Sequence, residues 1–291
     1  MYRRLARLTL AALLSAILSL NLSHWEPTIA GAPAPVGISP QSTIVQRPSD
    51  RPAPRTTIDP YVRPSFAHEM QMLRPSILEA ARRHNRTELS NMTDREFAVV
   101  IALILYNENF GSLEDRVSPL RPLTPFYQRL QVGLNEVGGS NLSVWPANLR
   151  PSVALEILQH QVPVPAPTRA ITEPIQVAGS DLDITAYDSR EALYTALTQE
   201  IAEPHMAVEY LAANLERGLY RAQFEGVPVT WRALAAWHNQ GIVSPANIRH
   251  NPTARDYLRR SSAYLAQSYA LIDGYGCPGA RCKIAHRDSS S

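Results

Sequence analysis

The chain has 291 residues, of which 45% are hydrophobic and 19% charged, so it can build one large domain or two small ones around a real core and is excluded from the wholly disordered class. The formal net charge is +2 and no block of like charges occurs, a balance too mild to point to nucleic acid as a partner.

Arg3, Arg4 and Arg7 precede an apolar stretch over residues 8–22, and small residues follow around Ala30. This order predicts a signal peptide over 1–30, cleaved after Ala30, and an exported protein of the cell envelope or the extracellular space. The competing reading is an uncleaved N-terminal anchor, which would give the chain a transient membrane contact. Against it, the stretch is short for a span of about 20 residues. Residues 31–65 are rich in Pro, Ser, Thr and Arg and read as a disordered, extended linker.

The folded part is expected over 66–273 and reads as all-α. Pro75 suits the first turn of a helix over 75–84. Thr93-Asp94-Arg95-Glu96 has the form of a capping box, which makes Glu96 a structural residue. Every position over 97–106 is apolar, so the helix that follows should have no wet face and should cross the middle of the domain. A buried strand is the competing reading of such a run, and the box and the length favour helix. Further helices are expected over 151–160, 189–201, 205–220, 230–238 and 254–272; Val208, Leu211, Ala212, Leu215 and Leu219 mark one apolar face. Residues 111–142 and 162–188 read as loop insertions, the second containing the Pro-rich VPVPAPTRAITEP. In the tail, over 274–291, Cys277 and Cys282 are close enough for a local disulfide in an oxidising compartment. Zinc held with His286 is the weaker alternative.

Three stretches carry candidate chemistry. In ILYNENFG, Glu108 follows the apolar run with only Asn107 between. Desolvation there disfavours the charged carboxylate, which suits a general acid that protonates a glycosidic oxygen. The bland alternative, a solvated acid at a helix C-terminus, is disfavoured by the negative end of the helix dipole. In NLSVWPANLRPSVALEI, Pro146, Asn148 and Pro151 surround Trp145 in a loop that leads into a helix. In AAWHNQG an aromatic, a histidine, an asparagine and a glycine close a helix.

In this order the three stretches resemble the lytic transglycosylases and their goose-type lysozyme relatives. That family has a helix ending in a catalytic Glu, a Gly-Leu-Met-Gln-Ile-x-Pro loop, and an Ala-Tyr-Asn-x-Gly motif. Glu108-Asn109, Trp145-Pro146-Ala147-Asn148 through Pro151, and Trp237-His238-Asn239-Gln240-Gly241 look similar to these. EPHMAVEYLAANLERG resembles the helix before the last motif, and ARDYLRRSSAYL the closing helix, with Tyr257 at the family's final Tyr. The resemblance spans about 76–271. The chain departs from the pattern in the longer gap after Glu108, in Trp145-Pro146-Ala147 for Gly-Leu-Met, and in His238 for Tyr.

The resemblance implies a lysozyme-like fold and cleavage of the β-1,4 bond between N-acetylmuramic acid and N-acetylglucosamine in peptidoglycan glycan strands, without a cofactor. Glu108 would protonate the leaving oxygen, then help the muramic 6-hydroxyl close onto C1 to give a 1,6-anhydro product. Asn148, Asn239, Trp145, Trp237, His238 and Tyr257 are the expected substrate contacts, each Trp having core packing as its alternative. Two other functions stay open: a hydrolytic muramidase using Glu114, Asp115 or Glu136 as second carboxylate, and a non-catalytic wall-binding protein. A metallohydrolase is disfavoured, because no H-E-x-x-H occurs and the eight histidines are scattered.

Overall fold

The computed structural model describes residues 60–109 and 124–274, all within one unit over Arg55–Ser291. The signal segment, most of the linker, Glu114, Asp115 and the Cys277–Cys282 pair lie outside the described residues. The described part is mostly helical, with eleven helices and one two-stranded sheet. None of its helices is long and apolar enough to cross a membrane.

Helix α1 spans Pro64–His84, beginning well before Pro75, which stands inside it. An interior proline removes an amide donor and costs about 3 kcal/mol. Here Phe66, Met70, Leu73 and Ile77 bury one continuous face against the helices named below, and that burial outweighs the lost bond. Pro64 provides the first-turn proline expected of Pro75. Helix α2 (Thr87–Ser90) is a single turn. Helix α3 (Asp94–Glu108) opens on the expected capping box: Glu96 N–H donates to Thr93 Oγ1 at 3.2 Å and Thr93 N–H to Glu96 Oε2 at 2.8 Å. All residues from Phe97 to Asn107 are buried, so α3 is the axle of the fold.

The first expected insertion contains a helix, α4 (Thr124–Gly138), which packs on α6. Gly133 and Gly138 weaken its propensity, which hid it in the sequence. Helix α5 (Pro151–Leu158) leads into a short antiparallel hairpin, β1 (Gln161–Pro163) with β2 (Ala170–Thr172), pairing Val162 with Ile171. The sequence read this segment as loop because three-residue strands holding a proline leave no alternation to see. Arg217 clasps the hairpin: its Nε donates to the Gln161 carbonyl at 2.8 Å while Nη2 pairs with Glu156 at 2.5 Å.

Helices α6 (Arg190–Ala202), α7 (Pro204–Glu225) and α8 (Trp231–Gln240) follow near their expected positions. Helix α9 (Pro245–His250) was not expected. The single helix expected over 254–272 is two, α10 (Pro252–Ala263) and α11 (Leu265–Asp273), parted at Tyr264. The Ser261 and Ser268 hydroxyls donate to carbonyls four residues back, a habit that bends helices, and the Tyr264 ring stacks on Tyr106 at 6.0 Å. Helices α1, α8, α10 and α11 surround α3, and α7 closes the layer beyond α1.

Between α1 and α7 lies a buried ion network that the sequence did not reveal. His84 contacts Glu216 through Nδ1 at 2.8 Å and Glu209 through Nε2 at 2.9 Å. Arg83 pairs with Glu209 at 2.6 Å and Arg86 with Glu216 at 2.6 Å. Burial alone would depress the His84 pKa, but the hydrogen bonds to both carboxylates more than reverse this and raise it. Glu209 is held down to about 2 against its own burial by His84, Arg83 and the Ala178 amide.

Candidate active site around Glu108

Helix α3 delivers Glu108 at its last turn, the first position after the buried run Phe97–Asn107 that is not sealed in the core. The side chain remains only 8% exposed. Both carboxylate oxygens are engaged from distant parts of the chain. Tyr257 Oη donates to Oε1 at 2.6 Å, and Asn148 Nδ2 donates to Oε2 at 2.8 Å. His238 Nε2 stands 3.7 Å from Oε1.

Each partner is placed by local chemistry. Asn148 is in a turn closed by the Val144–Leu149 backbone pair, with φ of 55°. Asparagine tolerates this left-handed conformation better than most residues, and here it also supplies the donor. Helix α10 carries Tyr257 inward. Its first turn is set by Pro252 and by Asn251, whose side chain accepts from the Ala254 amide at 2.9 Å. His238 is on the final turn of α8, which Gly241 ends in a left-handed cap at φ 67°.

The electrostatics fix the roles of these groups. Burial, then the charge and hydrogen bond of Glu108, raise the Tyr257 pKa well above its ordinary value, so the phenol stays a donor. His238 is lowered by burial, which outweighs the Glu108 charge and a hydrogen bond to the Ala147 backbone. It is therefore a neutral imidazole beside the carboxylate. Asn214 Nδ2 lies 3.5 Å from His238 Nδ1 and Arg217 Nη1 donates to Asn214 Oδ1 at 2.9 Å. With Asn214 donating to Nδ1, the ring proton sits on Nε2 and is accepted by the Ala147 carbonyl, while Glu108 Oε1 stands beyond hydrogen-bonding distance. Asn148 is the exposed member of the set, so a ligand meets the Oε2 side of Glu108 first.

Sequence reasoning missed the two asparagines that flank Glu108. Asn107 Oδ1 accepts from Arg260 Nη1 at 3.2 Å, and Asn109 Oδ1 accepts from Arg63 Nη2 at 3.0 Å. Arg260 also lies over the Tyr257 ring, 5.5 Å from its centroid. The signal was present in the tripeptide Asn107-Glu108-Asn109, since buried amides at a helix end need partners.

The structure does not bring every expected contact residue to Glu108. Trp237 is 5% exposed; its indole N–H donates to the Asn214 carbonyl at 2.7 Å, and its ring lies against Gly218. That is the core-packing alternative for this tryptophan. Asn239 Oδ1 accepts from Gln240 Nε2 at 2.9 Å. Trp145 is half-buried, its ring 5.7 Å from that of Phe66, and it borders an open cleft lined also by Glu136. Both ring nitrogens of the buried His84 are taken up by carboxylates. Among the described residues, no group of three His, Cys, Asp or Glu side chains is placed to hold a metal ion. No protein-family model, curated protein or solved structure matches this chain.

Proposed function

We propose that this protein is a lysozyme-like, peptidoglycan-cleaving enzyme, a lytic transglycosylase in which Glu108 is the general acid and base. The observation that carries the reading is the convergence on Glu108 of Asn148, His238 and Tyr257, which come from three separate segments that resemble three successive family motifs. A chance resemblance along the chain would have no reason to gather these side chains around one carboxylate.

In this scheme Glu108 gives its proton to the glycosidic oxygen, and the bond from that oxygen to C1 of the muramic sugar breaks. The resulting carboxylate then removes the proton of the muramic 6-hydroxyl as its oxygen bonds to C1. Tyr257 and Asn148 hold the carboxylate and steady it while it is charged. The reaction needs no second carboxylate, unlike the usual glycosidase pair.

Mass spectrometry of the fragments released from purified sacculi tests the proposal. The wild type should release 1,6-anhydro ends and Glu108→Gln should release almost none, since acid–base assistance is commonly worth about 10²–10⁴-fold. Glu96→Gln, which removes only a capping partner, should retain activity. Reducing ends in place of anhydro ends would assign the chain to the hydrolytic muramidases. A wild type that binds sacculi without releasing fragments would make it a wall-binding protein.

A further inference from the structure

We propose that the cleft between α1 and α4 binds the peptide stem carried by the muramic sugar, a short peptide bearing carboxylates and a free ammonium. The inference rests on the reading of Glu108 as a peptidoglycan-cleaving acid.

The cleft measures about 440 Å³, within the ~300–1,000 Å³ typical of small-ligand clefts. Its α4 wall is one helical face, with Gln128, Arg129, Val132, Gly133 and Glu136 at spacings of three and four. Phe66 and Glu69 face them from α1, and Arg63 from the residue that caps it. Two guanidinium groups and two carboxylates thus line one hollow, a pattern that suits a ligand carrying both signs of charge and not a neutral sugar. Burial raises the Glu69 pKa and Arg63 only partly offsets it, so an ammonium seated there would relieve the strain on the carboxylate.

The cleft joins the Glu108 site at two points. Arg63 lines it and also donates to Asn109, the neighbour of Glu108. Trp145 lines it from the turn that carries Asn148. The cleft therefore lies beside the Glu108 site.

Gly133 is the independent observation. It is in the interior of α4, where glycine weakens a helix relative to alanine. A Cβ added there would meet nothing within 4 Å. Neither a positive φ nor a close contact requires glycine there, and the open space beside it belongs to the cleft.

Calorimetric titration of the full chain with the synthetic stem L-Ala-γ-D-Glu-meso-diaminopimelate-D-Ala provides the test. Binding is expected, weakened about tenfold or more by Arg129→Glu, by Gly133→Leu, and by acetylation of the diamino-acid ammonium, each of which removes a charged contact or fills the open space. Both substitutions are at open positions that leave the core untouched. Absence of binding, or binding that all three changes leave intact, overturns the proposal. Cleavage of sacculi by the wild type is read in parallel. Stem binding without cleavage keeps the cleft assignment and removes the catalytic reading, and cleavage without stem binding does the reverse.

Discussion

Tyr257 Oη donates to Glu108 Oε1 at 2.6 Å across 149 residues of sequence, tying the last helical pair of the domain to its central helix. The phenol cannot ionise in this surrounding, so it acts only by hydrogen bonding. Tyr257→Phe keeps the ring and removes the bond. A hydrogen bond to a charged group is worth about 1.5–3 kcal/mol, so kcat/KM on sacculi should fall about 10- to 100-fold while the fold persists. Unchanged kinetics would show that Glu108 needs no such support.

His238 gives the site an acid sensitivity. In the unfolded chain the imidazole takes a proton near pH 6.5, while the buried ring resists it. On acidification the unfolded state therefore binds more protons, and stability must fall as the pH drops below about 6.5. His238→Gln removes this titration. Thermal unfolding at pH 7.5 and pH 5 should show a smaller loss for the variant than for the wild type, and equal losses would refute the assignment.

His84 works in the opposite direction. Its pKa is raised in the folded protein, so its contribution is complete below about 6.5 and is lost as the pH rises through the folded value. Substitution by Gln leaves Glu209 and Glu216 facing one another without their shared cation. Breaking a buried pair in this way costs about 3–5 kcal/mol, readable as a lower urea midpoint at pH 6. The wild type should lose stability between pH 6 and pH 9, and the variant should show little further loss over that range.

Gly218 tests the position of Trp237. A Cβ at residue 218 would stand 2.6 Å from Trp237 Cδ1. The indole is pinned by its bond to Asn214 and has nowhere to retreat. Gly218→Ala would gain helix propensity, yet overpacking of this kind costs about 1–3 kcal/mol. A lower melting temperature is expected, and a higher one would show the ring is free to move.

The helical skeleton was legible where the sequence pattern was strong. The Thr93–Glu96 box and the unbroken apolar run defined α3, and spacing defined α7. Pro75 misled because a buried face overrode a breaker, and the break at Tyr264 was hidden because serine hydroxyls, not proline or glycine, make it. At the site, Glu108, Asn148, His238 and Tyr257, each singled out in the sequence, lie together. The supports from Arg63, Arg260 and Asn214 were not legible, because an isolated arginine or asparagine on a helix gives no sign of which distant amide or ring it will meet. The His84 network was invisible for the same reason: its members are scattered over two helices and the turn after α1, and only their packing makes them one unit.

Because α3 is enclosed from Phe97 to Asn107, Glu108 follows directly on the part of the molecule least able to change. The groups that frame its approach sit at the periphery, on the turn around Asn148 and on the outer face of α4. The protein is thus divided into a fixed tool and an interchangeable handle. On the proposed function, descendants of this chain, natural or engineered, have room to take on differently decorated substrates by rewriting the turn and the α4 face, while Glu108 stays where the core holds it.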